Sequence, residues 1–244
     1  MTGDYIYFPE QLSGKELDVL LAKGWYRMGQ SIFTTHYLLK EDGIFRVFWL
    51  RYNLKKIKIS KSSQRIININ KRFRTSFQPM KLSDELEELY KIYKSSIDFD
   101  PAASVQQWLY GEQTTDVYDS CLIEVRDNDL LIAAGIFDKG QKSIAGIMNF
   151  FHPEYKKYSL GKYLMLIKTA YAIESGMRWY YPGYLIYGYP KFNYKLFIDK
   201  ENAEIYIPEE NSWSIYNAEK LDEIMKDFLS RQSGDDKEDN STQQ

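Results

Sequence analysis

Residues 118–176 read YDSCLIEVRDNDLLIAAGIFDKGQKSIAGIMNFFHPEYKKYSLGKYLMLIKTAYAIESG. Three apolar runs, 118–125, 130–138 and 143–151, are separated by Arg126-Asp127-Asn128-Asp129 and Lys139-Gly140-Gln141-Lys142. Connections this short join antiparallel neighbours, so the spacing predicts a three-strand meander. The period then changes. Leu160, Tyr163, Leu164, Ile167, Ala170 and Tyr171 recur at helical spacing, which predicts a helix over 159–175 with Ser159 as its cap and Gly176 as its stop.

Working outward, the same signals predict helices over 13–23, 83–97 and 104–110. Strands are expected in 25–52, strongest at 45–50, and at 72–78, 178–183 and 203–207. A short helix near 190–196 and a helix over 218–229 complete the order. Residues 62–70 are ambiguous, with a short helix as one reading. The Ser233–Gln244 tail has no apolar residue and is expected to be disordered, because nothing there offsets the entropy of ordering.

Composition narrows the class. The 244 residues have ordinary apolar and charged content, 44% and 27%, which excludes global disorder. The single cysteine, Cys121, excludes an intrachain disulfide, and with only His36 and His152 beside it a cysteine-rich metal site is not expected. No metal or cofactor is therefore expected. The longest apolar run, Leu130 to Phe137, is too short to span a bilayer. No signal-peptide pattern is visible at Met1–Asp4, so no membrane association and a reducing, cytoplasmic location are the expectation.

Charge is unevenly placed. Eleven Lys and Arg residues fall between Arg46 and Lys81 with no Asp or Glu among them, while the rest of the chain carries 21 basic and 34 acidic residues. Such a stretch suits a polyanion. Lys56 and Lys58 are candidates for backbone phosphates. Ser60 through Arg74 interleaves cations with amides and hydroxyls, a mixture suited to phosphate and sugar.

Two further stretches could carry chemistry. The segment from Phe151 to Tyr163 starts a helix beside Lys156, Lys157 and Lys162. Free N–H groups there could meet a phosphate, and Gly161 allows close approach. The segment from Trp179 to Lys195 holds six tyrosines between residues 180 and 194, with two prolines and two glycines among them. It reads as a strand opening into a rigid aromatic loop able to stack a base and donate hydroxyls.

Taken together, these blocks resemble the arginyl-tRNA–protein transferases, a family that includes bacterial enzymes adding leucine to N-terminal Asp or Glu. Ser63-Gln64-Arg65 through Asn70 is similar to the family's Ser-Gln-Arg-Arg…Asn. Phe150-Phe151-His152-Pro153 with Tyr158-Ser159-Leu160-Gly161-Lys162-Tyr163 is similar to its Phe-Phe-x-Pro…Ser-Leu-Gly-x-Tyr. Gly183-Tyr184-Leu185-Ile186 and Pro190-Lys191-Phe192-Asn193-Tyr194-Lys195 resemble its Gly-Tyr-x-Ile…Pro-Lys-Met-x-Tyr-Lys. The chain lacks the amino-terminal cysteine cluster usual in the family, Phe192 stands where Met is usual, and Ile66 where a second Arg is usual.

From residue 72 onward the predicted order, β-α-α-β-β-β-α-β-α-β, resembles the GNAT acyltransferase fold, so the expectation is an α+β protein: a GNAT-like acyltransferase domain with a mixed sheet flanked by helices, at 72–230. A smaller basic α+β subdomain precedes it at 1–71, and an acidic tail follows at 231–244. The implied reaction moves an amino acid, arginine ahead of leucine, from charged tRNA to the N-terminal α-amine of proteins beginning with acidic residues, marking them as N-degrons. Tyr184, Tyr194 and Lys195 are the implied catalytic candidates. Lys56, Lys58, Gln64, Arg65, Asn70, Ser159, Gly161 and Lys191 are the implied tRNA- or substrate-binding residues. Lys191, Lys195 or Arg65 could meet the acceptor's carboxylate. Two alternatives stay open: an acyl-CoA-dependent N-acyltransferase, and a non-catalytic RNA-binding relative. Oligomeric state is not legible.

Overall fold

The computed structural model describes residues 5–40, 43–99, 101–113 and 116–226. The expected tail at 231–244 lies outside them, as does the end of the helix expected over 218–229, which is described from 218 to 226.

The chain begins with β1 (Tyr5–Tyr7), α1 (Gly14–Ala22), β2 (Tyr26–Met28) and β3 (Ser31–Thr34). Ser13 caps α1 in a reciprocal box with Glu16, whose carboxylate accepts from the Ser13 backbone. β1, β3 and β2 form a small antiparallel sheet. β4 (Tyr37–Lys40) and β5 (Gly43–Asn53) make a hairpin, and α2 (Lys61–Asn70) and β6 (Arg74–Pro79) follow. Next come α3 (Asp84–Lys94), α4 (Val105–Tyr110), β7 (Ser120–Asp127), β8 (Leu130–Lys139) and β9 (Ser143–Phe151). α5 (Leu160–Glu174), β10 (Trp179–Ile186), β11 (Ala203–Ile207) and β12 (Ser212–Ile215) complete the labelled elements.

The meander forms as its spacing predicts: β7 pairs β8 and β8 pairs β9, both antiparallel. The ambiguous stretch at 62–70 is a full helix, α2, capped by the Ser60 side chain. β12 and a 3-10 turn at Pro153–Tyr158 were not expected from the pattern.

Nine strands form one mixed sheet in the order β12-β11-β5-β10-β9-β8-β7-β6, with β4 added on β5. β5 lies inside the sheet between β11 and β10, so the sheet crosses the boundary expected at residue 71. The reason is burial: Val47 through Leu50 and Tyr52 are all at most 2% exposed, and a strand apolar on both faces needs neighbours on both edges and cover on both sides.

One parallel pair, β9 with β10, needs a crossover, and α5 supplies it. That pairing runs only from Trp179↔Ser143 to Tyr181↔Ala145. Beyond it β10 continues on β5 and β9 continues on β8, so the two strands splay apart. A bulge on each side accompanies the splay. Register shifts between Tyr180 and Gly183, at Pro182, which has no N–H for the ladder, and again between Ile136 and Phe137.

Side chains from α5, among them Leu160, Leu164 and Met165, join Phe48, Ile123, Ala133 and Phe137 in one core. α3 and α4 cover the opposite side of the meander through Leu86, Leu89, Tyr90 and Leu109, against Ala134, Ile136 and Phe150. α1 and the small sheet form a third core with Trp49, Ala145 and Tyr181. No helix among the described residues is long and apolar enough to cross a membrane.

Candidate active site

The splay between β9 and β10 opens into a cleft of about 1240 Å³. Its floor is β9 from Gly146 to Phe151, and the start of α5 gives one wall through Ser159, Gly161 and Met165. The loop after β10 gives a second, while Tyr93, Phe99 and Trp108 from the α3–α4 region face it.

The sequence-expected residues Tyr184, Lys191, Tyr194, Lys195, Ser159 and Gly161 all line this one cleft. Ser159 does so without capping α5 as expected. It has φ 53° and ψ 44°, makes no side-chain cap bond, and turns the chain from the 3-10 segment into the helix. Gly161 is small for a reason: a Cβ there would stand 3.3 Å from the Phe151 ring.

Lys195 is a strongly perturbed lining group. Only 8% of it is exposed, and its ammonium lies 4.6 Å from the Phe192 ring centre, 4.7 Å from Tyr194 and 5.5 Å from Tyr184. No carboxylate faces it among the described residues, and burial pulls its pKa down to about 7. Aromatic faces attract a cation but do not replace its hydration. Gly183, at φ +109°, makes room for this lysine, since a Cβ would stand 3.3 Å from Lys195 Cε. Tyr52 fixes the backbone by donating its hydroxyl to Lys195 O at 2.7 Å.

The tyrosines here are held neutral. Desolvation raises Tyr184, and the enclosed part of Tyr194, a residue 52% exposed overall, raises its phenol too, helped by Tyr93 and Tyr184. Tyr184 stacks on Phe192 with ring centres 5.6 Å apart and meets Trp49 edge-on at 5.2 Å. Their phenols are thus O–H donors near neutral pH.

Several residues of the cleft were not foreseen. Tyr26 from the small sheet sets its hydroxyl into the splay, donating to Gly146 O with Tyr181 O 3.1 Å away. It bridges the two strands where their own ladder stops. Its neighbour Arg27 anchors that strand, donating to Asp138 at 2.8 Å, Ser120 Oγ at 2.9 Å and Leu109 O at 2.9 Å. Burial still raises the Asp138 carboxyl, despite that guanidinium. Behind the floor, fully buried Lys168 on α5 donates to Ile136 O at 2.7 Å and Met148 O at 2.9 Å, beside the β8–β9 bulge. Desolvation pulls its pKa to about 7 as well. Tyr26 and Lys168 gave no signal in sequence because each reads as an ordinary strand or helix residue.

The basic stretch does not form one face. Arg46 is buried and paired with Glu209. Arg51 pairs with Glu204 at 2.7 Å and lies between Trp179 and Trp213, 3.8 and 4.2 Å from the ring centres. Both are structural. Asn70 is also withdrawn from the expected binding set: it is fully buried, and its amide donates to Ile66 O at 2.8 Å and Tyr158 O at 2.9 Å, tying α2 to the turn before α5. Lys56, Lys58, Gln64 and Arg65 are exposed and do not line the cleft. Gln64 bonds Asn68 at 3.1 Å, and Arg72 reaches Tyr158 at 3.3 Å. Exposed Arg65, Arg72, Lys156, Lys157 and Lys162 are carried on α2, its following loop, the 3-10 turn at Pro153–Tyr158 and the start of α5. Among the described residues no group of three or more His, Cys, Asp and Glu is placed to hold a metal.

Residues 85–203, about half the chain, match the family described as arginine-tRNA-protein transferase, C terminus. An aspartate/glutamate leucyltransferase of Leptospira interrogans is 25% identical over 220 residues, covering 86% of this chain and 82% of that protein. Arginyl-tRNA–protein transferase 1 of Arabidopsis thaliana is 29% identical over 147 residues, covering 50% of this chain and 22% of that one. Among solved structures, L-PGS from Bacillus licheniformis superposes with a TM-score of 0.43 at 11% identity, over 57% of this chain and 46% of that one, too slight a likeness to bear on function. Residues 85–203 thus match the arginine-tRNA-protein transferase C-terminal domain, and the chain as a whole is similar to the aspartate/glutamate leucyltransferases.

Proposed function

We propose that this chain is an aminoacyltransferase that moves an amino acid from charged tRNA to the N-terminal α-amine of proteins beginning with Asp or Glu, marking them as N-degrons in the cytoplasm. No metal or cofactor takes part. The observation that carries the reading is Lys195: a desolvated amine near neutrality, caged by Tyr184, Phe192 and Tyr194 in a cleft where two neutral phenols converge.

The chemistry is aminolysis of an ester. The acceptor α-amine, with a pKa of about 7.7–8.0, is partly neutral at pH 7. It attacks the aminoacyl carbonyl carbon, and a phenol O–H from Tyr184 or Tyr194 donates to the developing oxyanion. Lys195, neutral before attack, takes the proton shed by the attacking nitrogen. It returns that proton to the ribose oxygen as the ester C–O bond breaks, so the amine is regenerated. Two groups of similar pKa exchange a proton at little cost. Exposed cations on α2 and at the start of α5 hold the tRNA backbone, with Lys56 and Lys58 extending the footprint. We read the fold as GNAT-like on the splay of β9 and β10 over the start of the α5 crossover.

The lining supports leucine ahead of arginine as donor, the reverse of the order expected from sequence. Among the described residues no Asp or Glu lines the cleft, whereas Arg27, Lys162, Lys191 and Lys195 do. A guanidinium would be desolvated there without a counter-ion, while an aliphatic side chain meets Met148, Phe150 and Met165. The test is transfer of labelled leucine or arginine from charged tRNA to peptides beginning with Asp, Glu, Arg or Ala. Leucine on the Asp and Glu peptides is the expected result. Arginine alone on them reverses the donor assignment, and no transfer from either tRNA ends the reading.

A further inference from the structure

Four cations line the cleft, and they differ in what holds them. Arg27 is buried against Asp138, Lys195 is caged by aromatic rings, and Lys162 lies 4.7 Å over Phe197 beside the start of α5. The fourth, Lys191, opens the aromatic loop at the cleft's rim. Its ammonium stands 2.7 Å from Asp98 Oδ1 and 4.9 Å over the Phe99 ring.

Asp98 belongs to the loop between α3 and α4. The loop is tied at its base, where the Tyr90 hydroxyl donates to Ala102 O at 2.9 Å and Lys94 Nζ to Pro101 O at 3.1 Å. Among the described residues its middle reaches the opposite wall through the Asp98–Lys191 pair and the Phe99 ring under the same ammonium. Both partners face water, at 83% and 55% side-chain exposure, so the pair is weak and exchangeable. Phe99, the next residue, lines the cleft.

We propose that Asp98 is an internal competitor for the acceptor's acidic side chain. This rests on the acceptor reading above. An N-terminal aspartate presents to Lys191 the same carboxylate on the same methylene that Asp98 presents. The incoming residue displaces Asp98, and Phe99 loses its place under the Lys191 ammonium. Asp98 thereby sets the threshold an acceptor must exceed, and an acceptor without a carboxylate cannot make the exchange.

The test is steady-state transfer to an Asp-initiated and an Ala-initiated peptide by wild type, Asp98→Asn, Lys191→Ala and the double variant. Asp98 is exposed, so its replacement leaves the fold intact. Removing the competitor should lower KM for the Asp peptide about two- to fivefold, the range open to an exposed ion pair, with kcat and KM for charged tRNA unchanged. In the Lys191→Ala background the same change should have no effect on that KM. An unchanged or raised KM in Asp98→Asn, or an effect that persists without Lys191, overturns the competitor. Failure of wild type to transfer to the Asp peptide overturns the reaction reading and the competitor with it.

Discussion

The aromatic loop at 183–195 and the basic stretch at 56–74 both present lysines, but to opposite effect. In the stretch, Lys56 and Lys58 stand in water and act as plain charges. In the loop, Lys195 has lost its water to three aromatic rings, and its amine titrates near neutrality. Solvation, not residue type, separates attraction from proton transfer. The exposed set can contribute to binding through long-range attraction, whereas the caged lysine can enter the chemical step.

The largest break of that contrast is Lys195→Met. It keeps the stem and removes the amine, and kcat should fall about 10²- to 10⁴-fold, the usual contribution of a positioned acid–base group. A loss confined to KM would make Lys195 a binding charge like those of the exposed set. In wild type, kcat/KM should rise with pH through about 7 to 8 as Lys195 and then the acceptor amine lose their protons. The variant should keep only the acceptor amine's rise.

Gly183→Ala tests the cage more gently. The residue sits at φ +109° and its new Cβ would press on Lys195 Cε at 3.3 Å. Backbone strain of about 1–3 kcal/mol is expected, read as a lower urea midpoint, together with a shifted pH profile. A normal profile would show that the cage tolerates displacement.

Desolvated lysines also leave a mark on stability. Lys168 and Lys195 titrate near 7 when folded, but near 10.4 in an unfolded chain. Between those values the unfolded state binds more protons, so stability should rise with pH from about 7.5 to 9.5. The slope approaches 1.4 kcal/mol per pH unit for each such lysine. Below 7 both states are protonated and the slope from these groups vanishes. Urea midpoints across pH 6–9.5 measure it, and Lys195→Met should remove one lysine's share. Tyrosines with raised pKa reverse the trend only above about 10.

The smallest effect is expected at the solvated end. Changing Lys56 and Lys58 to Ala should flatten the salt dependence of tRNA affinity by about one unit per lost phosphate contact, with kcat intact. An unchanged slope would remove this pair from the footprint.

Much of the site was legible because its residues are close in sequence. Tyr184, Lys191, Tyr194 and Lys195 lie on one loop and reach one cleft. Reading was less successful where charge was counted along the chain. Arg46 and Arg51 were grouped with Lys56 and Lys58, yet both arginines face inward from an interior strand. Alternation along β5 gives no warning, since a strand buried on both faces shows no polar–apolar period. Asn70 was misread for a related reason. A polar amide at a helix end suits solvent contact, but here it satisfies carbonyls across a buried joint.

What the sequence determined by itself was local: the meander, the long helix α5, the crowded aromatic loop and the excess of basic residues before residue 82. Each follows from periodicity, turn chemistry or composition within a short span. Only the tertiary structure decided where β5 inserts, that Tyr26 bridges the β9–β10 splay from 120 residues away, and that Asp98 meets Lys191 across the cleft 93 residues along. The strength of such contacts depends on the water removed and the partners supplied by distant segments, and neither quantity exists until the chain has closed around them.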